Sequence, residues 1–203
     1  MTAVVHGIFP TPLYINSLDI EINESLLNYV NNLEICNNTS NWTSKNNYIL
    51  EEPIFKTIKI KLEQMLNEYF INIMGVDLEN KLKIVITQSW VNINKKNFSH
   101  HQHCHPNSIV SGVVYLQADK KVDKINFLKN DYEFLKFDKI RWNEYNSEQY
   151  SFPINKGDVV LFPSNLMHSV DKNKTDNTRI SLSFNTFVKG KLGKRSHLNE
   201  LEL

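Results

Sequence analysis

Beyond Gly75 the chain breaks into short apolar or alternating runs separated by turn residues, and this rhythm limits the possible folds more than any other feature. The runs are 82–94, 108–118, 122–128, 148–153, 158–162, 166–170 and 178–188. They are of strand length, and Lys156-Gly157-Asp158 and Asp176-Asn177 supply turns between some of them. Many short strands spaced in this way close into a sandwich or a barrel, because each must bury one face against another layer. The chain before Gly75 reads differently. Residues 22–34 predict a helix that starts near Asn23 or Glu24. Residues 52–74 predict the clearest helix: Phe55, Ile58, Leu62, Met65, Leu66, Tyr69 and Ile73 recur at i, i+3, i+4 spacing, and Gly75 is a natural stop. That stripe is core. Residues 8–15 hold Pro10 and Pro12, which suit an edge strand and exclude a central one. The expected class is α+β, with helices buttressing a β-sandwich or barrel.

Length and composition add bounds. The 203 residues suit one domain, divided here into helical support (1–80), a β core (81–190) and a tail (191–203). A net charge of +1 argues for neither a nucleic-acid nor a membrane partner. Two cysteines, Cys36 and Cys104, cannot build a disulfide framework, which fits a reducing, cytoplasmic setting. The opening Met1-Thr-Ala-Val-Val-His-Gly lacks the basic start and apolar run of a signal peptide. The sequons at Asn38 and Asn41 therefore carry no weight.

The chemistry-bearing feature is a histidine cluster. His100-His101-Gln102-His103-Cys104-His105-Pro106 precedes one strand, and His168 follows another. In a strand, residues i and i+2 project from the same face. His103 and His105 can therefore reach one ion, with Cys104 and His100 turned away. His101 and His103 form a second pair of the same kind, so the register stays open. His168 is placed to supply a third ligand from a different strand. Three protein ligands leave coordination positions free, which is the arrangement of a catalytic site. The bland alternative is a solvated, His-rich loop.

The run Thr178-Arg-Ile-Ser-Leu-Ser-Phe-Asn185 alternates. Ile180, Leu182 and Phe184 share one face; Arg179, Ser181, Ser183 and Asn185 share the other. Alternation alone allows the polar face to meet solvent or to point into a barrel. In the second case Arg179 and Ser181 can grip a carboxylate, since a guanidinium matches it bidentately and a hydroxyl adds a bond. The position of the run just after His168 favours that case.

These residues also carry a family resemblance. His103-x-His105-Pro106-Asn107-Ser108-x-x-Ser111-Gly112-Val113-x-Tyr115 resembles the signature of a family of 2-oxoglutarate/Fe(II)-dependent oxygenases. The likeness extends from Phe9-Pro-Thr-Pro-Leu through Ser89-Trp-Val-Asn92, Gly157-Asp158 and Phe162-Pro-Ser164-x-x-x-His168 to Arg179-Ile-Ser-x-Ser-Phe-Asn185. It implies a double-stranded β-helix (a jelly roll, cupin-like) with N-terminal helices packed on one sheet. It also implies Fe(II) on His103, His105 and His168, and the distal carboxylate of 2-oxoglutarate on Arg179, Ser181 and Tyr115. Asn92 would approach the other end of that cosubstrate. O₂ would be consumed, succinate and CO₂ released, and a small molecule or a protein side chain hydroxylated.

The resemblance departs from the wider superfamily in one respect: His105 stands where a carboxylate usually completes the triad. Two other readings compete. A cupin-type metalloenzyme would need no 2-oxoglutarate, but the glutamate expected soon after the His pair is absent from 107–110. A non-catalytic jelly-roll module would bind a partner without metal. Residues 129–147, with Tyr132, Phe134, Phe137, Arg141, Trp142 and Tyr145, read as a pocket lid, a packed hairpin or a homodimer contact.

Overall fold

Alternating side chains on the late strands face two different apolar layers, and that division organises the molecule. The protein is described by a computed structural model over residues 3–77, 82–129, 135 and 137–203. One sheet has seven strands: β1 (Tyr14–Ser17), β2 (Ile35–Asn38), β3 (Asn41–Ser44), β4 (Lys83–Asn94), β6 (Val110–Gln117), β9 (Asp158–Pro163) and β11 (Arg179–Lys189). Their spatial order is β1-β9-β6-β11-β4-β3-β2. The second sheet has four, in the order β5-β10-β7-β8: β5 (His100–His103), β10 (Met167–Val170), β7 (Lys124–Leu128) and β8 (Gln149–Pro153). Strand pairing in both sheets is antiparallel. Two facing antiparallel sheets with this crossover make a double-stranded β-helix. A short C-terminal hairpin pairs Lys191–Leu192 with Leu201–Glu202.

Two helices cover the outer face of the larger sheet. In α1 (Glu24–Asn31) the Asn23 side chain caps the start by accepting from Leu26 N at 3.0 Å. In α2 (Lys56–Glu68) the spaced residues Ile58, Leu62, Met65 and Leu66 are buried. The helix widens into a π turn at Tyr69–Ile73, then stops near Gly75, which has a positive φ of 63°. The helical side chains pack against Val91, Ile93, Val114, Leu116, Leu182 and Phe184. Opposite faces of the same strands contribute Val113, Tyr115, Val160 and Phe162 to a second core, completed by Ile125, Phe127 and Ile154.

One glycine is dictated by this packing. Gly112 lies across from Phe184 in the ladder, and a Cβ at Gly112 would run into the Phe184 ring. Predicted strands and observed ones agree within about two residues from β4 onward, apart from β5 and the C-terminal hairpin, neither of which was anticipated. The β2–β3 hairpin was also not anticipated; it extends the large sheet through β3 on β4. The edge-strand expectation for 8–15 is shifted: β1 starts at Tyr14 and sits at the rim of the sheet. Tyr132 and Phe134 lie outside the described residues, whereas Phe137, Trp142 and Tyr145 are exposed. No helix among the described residues is long and apolar enough to cross a membrane.

Candidate metal and cosubstrate site

The space between the sheets is lined by rungs of paired residues from β11 and β4. The ladder pairs Arg179 with Asn94, Ser181 with Asn92, Ser183 with Trp90 and Asn185 with Gln88. Alternation turns the first three rungs into a cavity whose other walls are His100, His103, His105, Val113, Tyr115, Ile125 and His168. Arg179 is 4% exposed and Ser181 8%, so the polar face of β11 points inward rather than into solvent.

Three imidazoles converge here. One ring nitrogen from each of His103, His105 and His168 lies within 4.8 Å of the others. His105 Nε2 is 3.3 Å from His168 Nε2, about the separation of two nitrogens that share an ion held at roughly 2.1 Å. Two of the tautomers follow from the backbone. His103 Nδ1 is 2.8 Å from the His101 carbonyl and His168 Nδ1 is 3.0 Å from the Leu166 carbonyl. A carbonyl only accepts, so both Nδ1 atoms carry the proton and both Nε2 lone pairs are free. Phe162 packs against the His168 ring at 4.7 Å, and Trp90 lies 5.8 Å from the His105 ring. Burial disfavours the imidazolium form. It holds His168 down to about 3 and His105 to about 4, and lowers His103, with neighbouring histidines adding to the effect at each. Neutral rings are the form a metal needs.

The closed end of the cavity is electrostatically unusual. Arg179 Nη1 donates to Asp123 Oδ1 at 3.1 Å, and both residues are buried. Asp123 Oδ2 is occupied by the Asp119 N–H at 3.0 Å. Arg179 Nη2 is left with no hydrogen-bond partner, and so is Asn94 Nδ2 on the same rung. Tyr115, fully buried, lies beside them; loss of solvation raises its phenol well above the usual value, with Arg179 opposing. Two buried donors without acceptors cost about 1–3 kcal/mol each unless an acceptor arrives. An anionic oxygen ligand meets that need, and a carboxylate suits the guanidinium fork.

Residues 88–185 match the family model described as "Putative 2OG-Fe(II) oxygenase". Over those residues, just under half of the chain, the protein is similar to the 2OG-Fe(II) oxygenases. Several solved structures share the fold. The nickel, 2-oxoglutarate and hygromycin B complex of HygX from Streptomyces hygroscopicus superposes with a TM-score of 0.61 at 12% identity, covering 87% of this chain and 82% of that one. The non-heme alpha ketoglutarate dependent epimerase SnoN from nogalamycin biosynthesis gives 0.63 at 12% identity, covering 89% and 81%. A 2OG-Fe(II) oxygenase family oxidoreductase from Burkholderia pseudomallei gives 0.55 at 13% identity, covering 81% and 79%. No curated protein sequence matches the chain. The description of that family names Fe(II) and 2-oxoglutarate, and the HygX complex holds nickel and 2-oxoglutarate.

Within this cavity the expected residues gather, with corrections. His103, His105 and His168 are together, but not on one regular strand: β5 ends at His103, and His105 lies in the following turn, its N–H bonded to the Ser164 carbonyl at 2.8 Å. His100 does not face away. The β5–β10 register shifts between the His168 and Val170 pairs, and His100 stacks on His103 with ring centroids 4.4 Å apart. His101 is exposed. Arg179, Ser181 and Tyr115 line the cavity as expected. Asn92 lines it too, but its amide is engaged: Oδ1 accepts from Asn41 at 3.1 Å and Nδ2 donates to Ser183 at 2.9 Å. Sequence reasoning did not single out Asp123 or Asn94, and it turned His100 away from the site. Position i+2 on the inward face, counted from Asn92, would have found Asn94.

Proposed function

We propose that this protein is an oxygenase that hydroxylates a C–H bond of a small molecule, using Fe(II) held by His103, His105 and His168 and 2-oxoglutarate anchored at Arg179. The observation that carries the reading is the pairing of a neutral three-imidazole cluster with an unsatisfied guanidinium N–H in one buried cavity. When bound, Fe(II) and 2-oxoglutarate supply O₂ activation coupled to oxidative decarboxylation, with succinate and CO₂ as products.

The chain's own residues bind, orient and exclude water. His101 and Leu166 carbonyls hold two of the imidazoles with Nε2 toward the cavity. Arg179, kept in place by Asp123, offers Nη2 to the distal carboxylate; Tyr115 and Ser181, facing partners in the ladder, offer hydroxyls beside it. Asn94 Nδ2 is a further donor on the Arg179 rung, and Asn92 sets the neighbouring rung through Asn41 and Ser183. Three neutral ligands leave the two charges of Fe(II) uncompensated by protein. A dianionic cosubstrate cancels them, which favours its capture in a cavity where unpaired charge is costly.

A small-molecule substrate is supported by the similar structures holding hygromycin B or nogalamycin RO. A cupin-type enzyme without 2-oxoglutarate would leave the Arg179 and Asn94 donors without a purpose. The test is anaerobic titration of the Fe(II) protein with 2-oxoglutarate, following the visible metal-to-ligand charge-transfer band. The band is expected in the unaltered protein, and Arg179→Ala should weaken 2-oxoglutarate binding about 10–100-fold, the worth of a charge-assisted bond. No band, together with unchanged affinity in Arg179→Ala, would sink the proposal.

A further inference from the structure

A fourth imidazole lies against the three-imidazole cluster. The His100 ring stacks on the His103 ring at 4.4 Å, with the planes 27° apart, and lines the cavity. It is half-buried, and among the described residues its nitrogens make no hydrogen bond. The ladder fixes its level. Across β10 and β5, His168 faces His103 and Val170 faces His100. Val170 and His100 are the last cavity-lining residues before loops 171–178 and 95–99, and those loops join them to Arg179 and Asn94. His100 therefore lies on the Arg179 side of the triad, in contact with a triad ring.

Space is short at this point. The cavity that must take the cosubstrate measures about 30 Å³. That is room for a body the size of one water. A cavity of about 150 Å³ is what benzene fills, and 2-oxoglutarate is larger than benzene. One wall has to yield. Arg179 is held by Asp123, Asn92 by Asn41 and Ser183, and the His103 and His168 rings by backbone carbonyls. Val113, Tyr115 and Ile125 belong to the second core. The His100 ring is held by ring stacking alone, on β5, an edge strand with two paired positions and a shifted register.

We infer that His100 binds the metal end of 2-oxoglutarate: its ring turns off His103, vacates space for the cosubstrate and donates its N–H to the carboxylate beside the metal. An imidazole carries a ring N–H in either charge state, and no acceptor among the described residues claims it here. A carboxylate takes that proton in a charge-assisted bond, which is stronger than a neutral one. The distal end is already supplied by Arg179 Nη2 and Asn94 Nδ2. Asn92, expected at the metal end, has its amide fixed by Asn41 and Ser183. This assignment rests on the cosubstrate proposed above and adds to it a donor that recognises the 2-oxo acid end.

The experiment is calorimetric titration of the Zn(II)-loaded protein, zinc being a redox-inert stand-in, with 2-oxoglutarate and separately with oxalate. Oxalate offers the metal a chelating end like that of a 2-oxo acid and has nothing to reach Arg179. His100→Leu, which removes the donor, should weaken both ligands about tenfold. Arg179→Ala should weaken 2-oxoglutarate and leave oxalate nearly unchanged. His100→Gln restores an N–H, so most of the lost affinity should return for both. Equal losses in His100→Leu and His100→Gln would mean that the ring only packs on His103, and would overturn the inference. Unchanged binding in His100→Leu would overturn it too, as would a loss confined to 2-oxoglutarate, which moves His100 to the distal end. An unaltered protein that binds oxalate but not 2-oxoglutarate would discard the proposed cosubstrate, and oxalate alone would then decide the role of His100. An unaltered protein that binds neither would end both.

Discussion

Asp123 holds Arg179 by one nitrogen and leaves the other free: Nη1 donates to Oδ1 at 3.1 Å, while Nη2 has no partner. The pair is almost fully buried, with side chains 4% and 6% exposed. A buried guanidinium without a counter-charge is expensive, so the ion pair makes an inward arginine tolerable. The remaining N–H then fits only a group brought in from outside.

Removing one partner of this pair tests the arrangement. Asp123→Asn should lower the unfolding free energy of the ligand-free protein by about 3–5 kcal/mol, the cost of stranding a buried charge. Arg179→Lys keeps the charge and loses the fork; it should weaken 2-oxoglutarate by about tenfold or more while Fe(II) binding persists. Urea unfolding and calorimetric titration measure the two effects. An Asp123→Asn protein as stable as the parent would show that the charge is compensated elsewhere.

What was legible beforehand follows from which forces act locally. The inward face of β11 was readable because strand alternation is strict, and once Ile180, Leu182 and Phe184 pack under the helices, Arg179 and Ser181 have one direction left. His100 escaped because a register shift in β5 is a property of the β5–β10 pair and not of His100-His101-Gln102-His103 itself. Asp123 escaped because its role depends on Arg179, 56 positions later, arriving beside it in the fold. The hairpin Ile35–Ser44 is rich in polar residues, so its strands lack the pattern that marks the others.

Gly112 is required by a close approach and not by its backbone angle. A Cβ there meets the Phe184 ring, whose side chain is 0% exposed and cannot move aside into solvent. Gly112→Ala should cost about 1–3 kcal/mol by overpacking. The paired change Gly112→Ala with Phe184→Leu should recover part of that loss, visible in the thermal midpoints. Independent, additive effects of the two changes would contradict the contact.

The histidine register separates cleanly by substitution. His101 is exposed and outside the triad, so His101→Ala should leave Fe(II) binding intact, whereas His105→Ala should lose it about 10–100-fold or more. His105→Asp should keep the metal, since a carboxylate is also a good ligand, and should bind dianionic 2-oxoglutarate less tightly because the site carries one positive charge fewer. Equilibrium dialysis with Fe(II) and the 2-oxoglutarate titration read these separately. Loss of iron in His101→Ala, with retention in His105→Ala, would move the site to the other His pair.

Acid should destabilise the metal-free protein through the same imidazoles. His100 and His168 are held down to about 3 and His105 to about 4, from 6.5, because burial disfavours the charged rings. The unfolded chain takes up protons as pH falls through 6.5, while the native chain resists until about 4 to 3. Stability contributed by these groups is therefore complete above pH 6.5 and is lost progressively below it. Bound Fe(II) should steepen the dependence, since ligand nitrogens must shed protons before they coordinate. Urea midpoints at several pH values between about 7.5 and 5, with chelator present, should fall steadily with acid at the histidine titration. A midpoint independent of pH over that interval would show that the rings are solvated or already charged in the native chain.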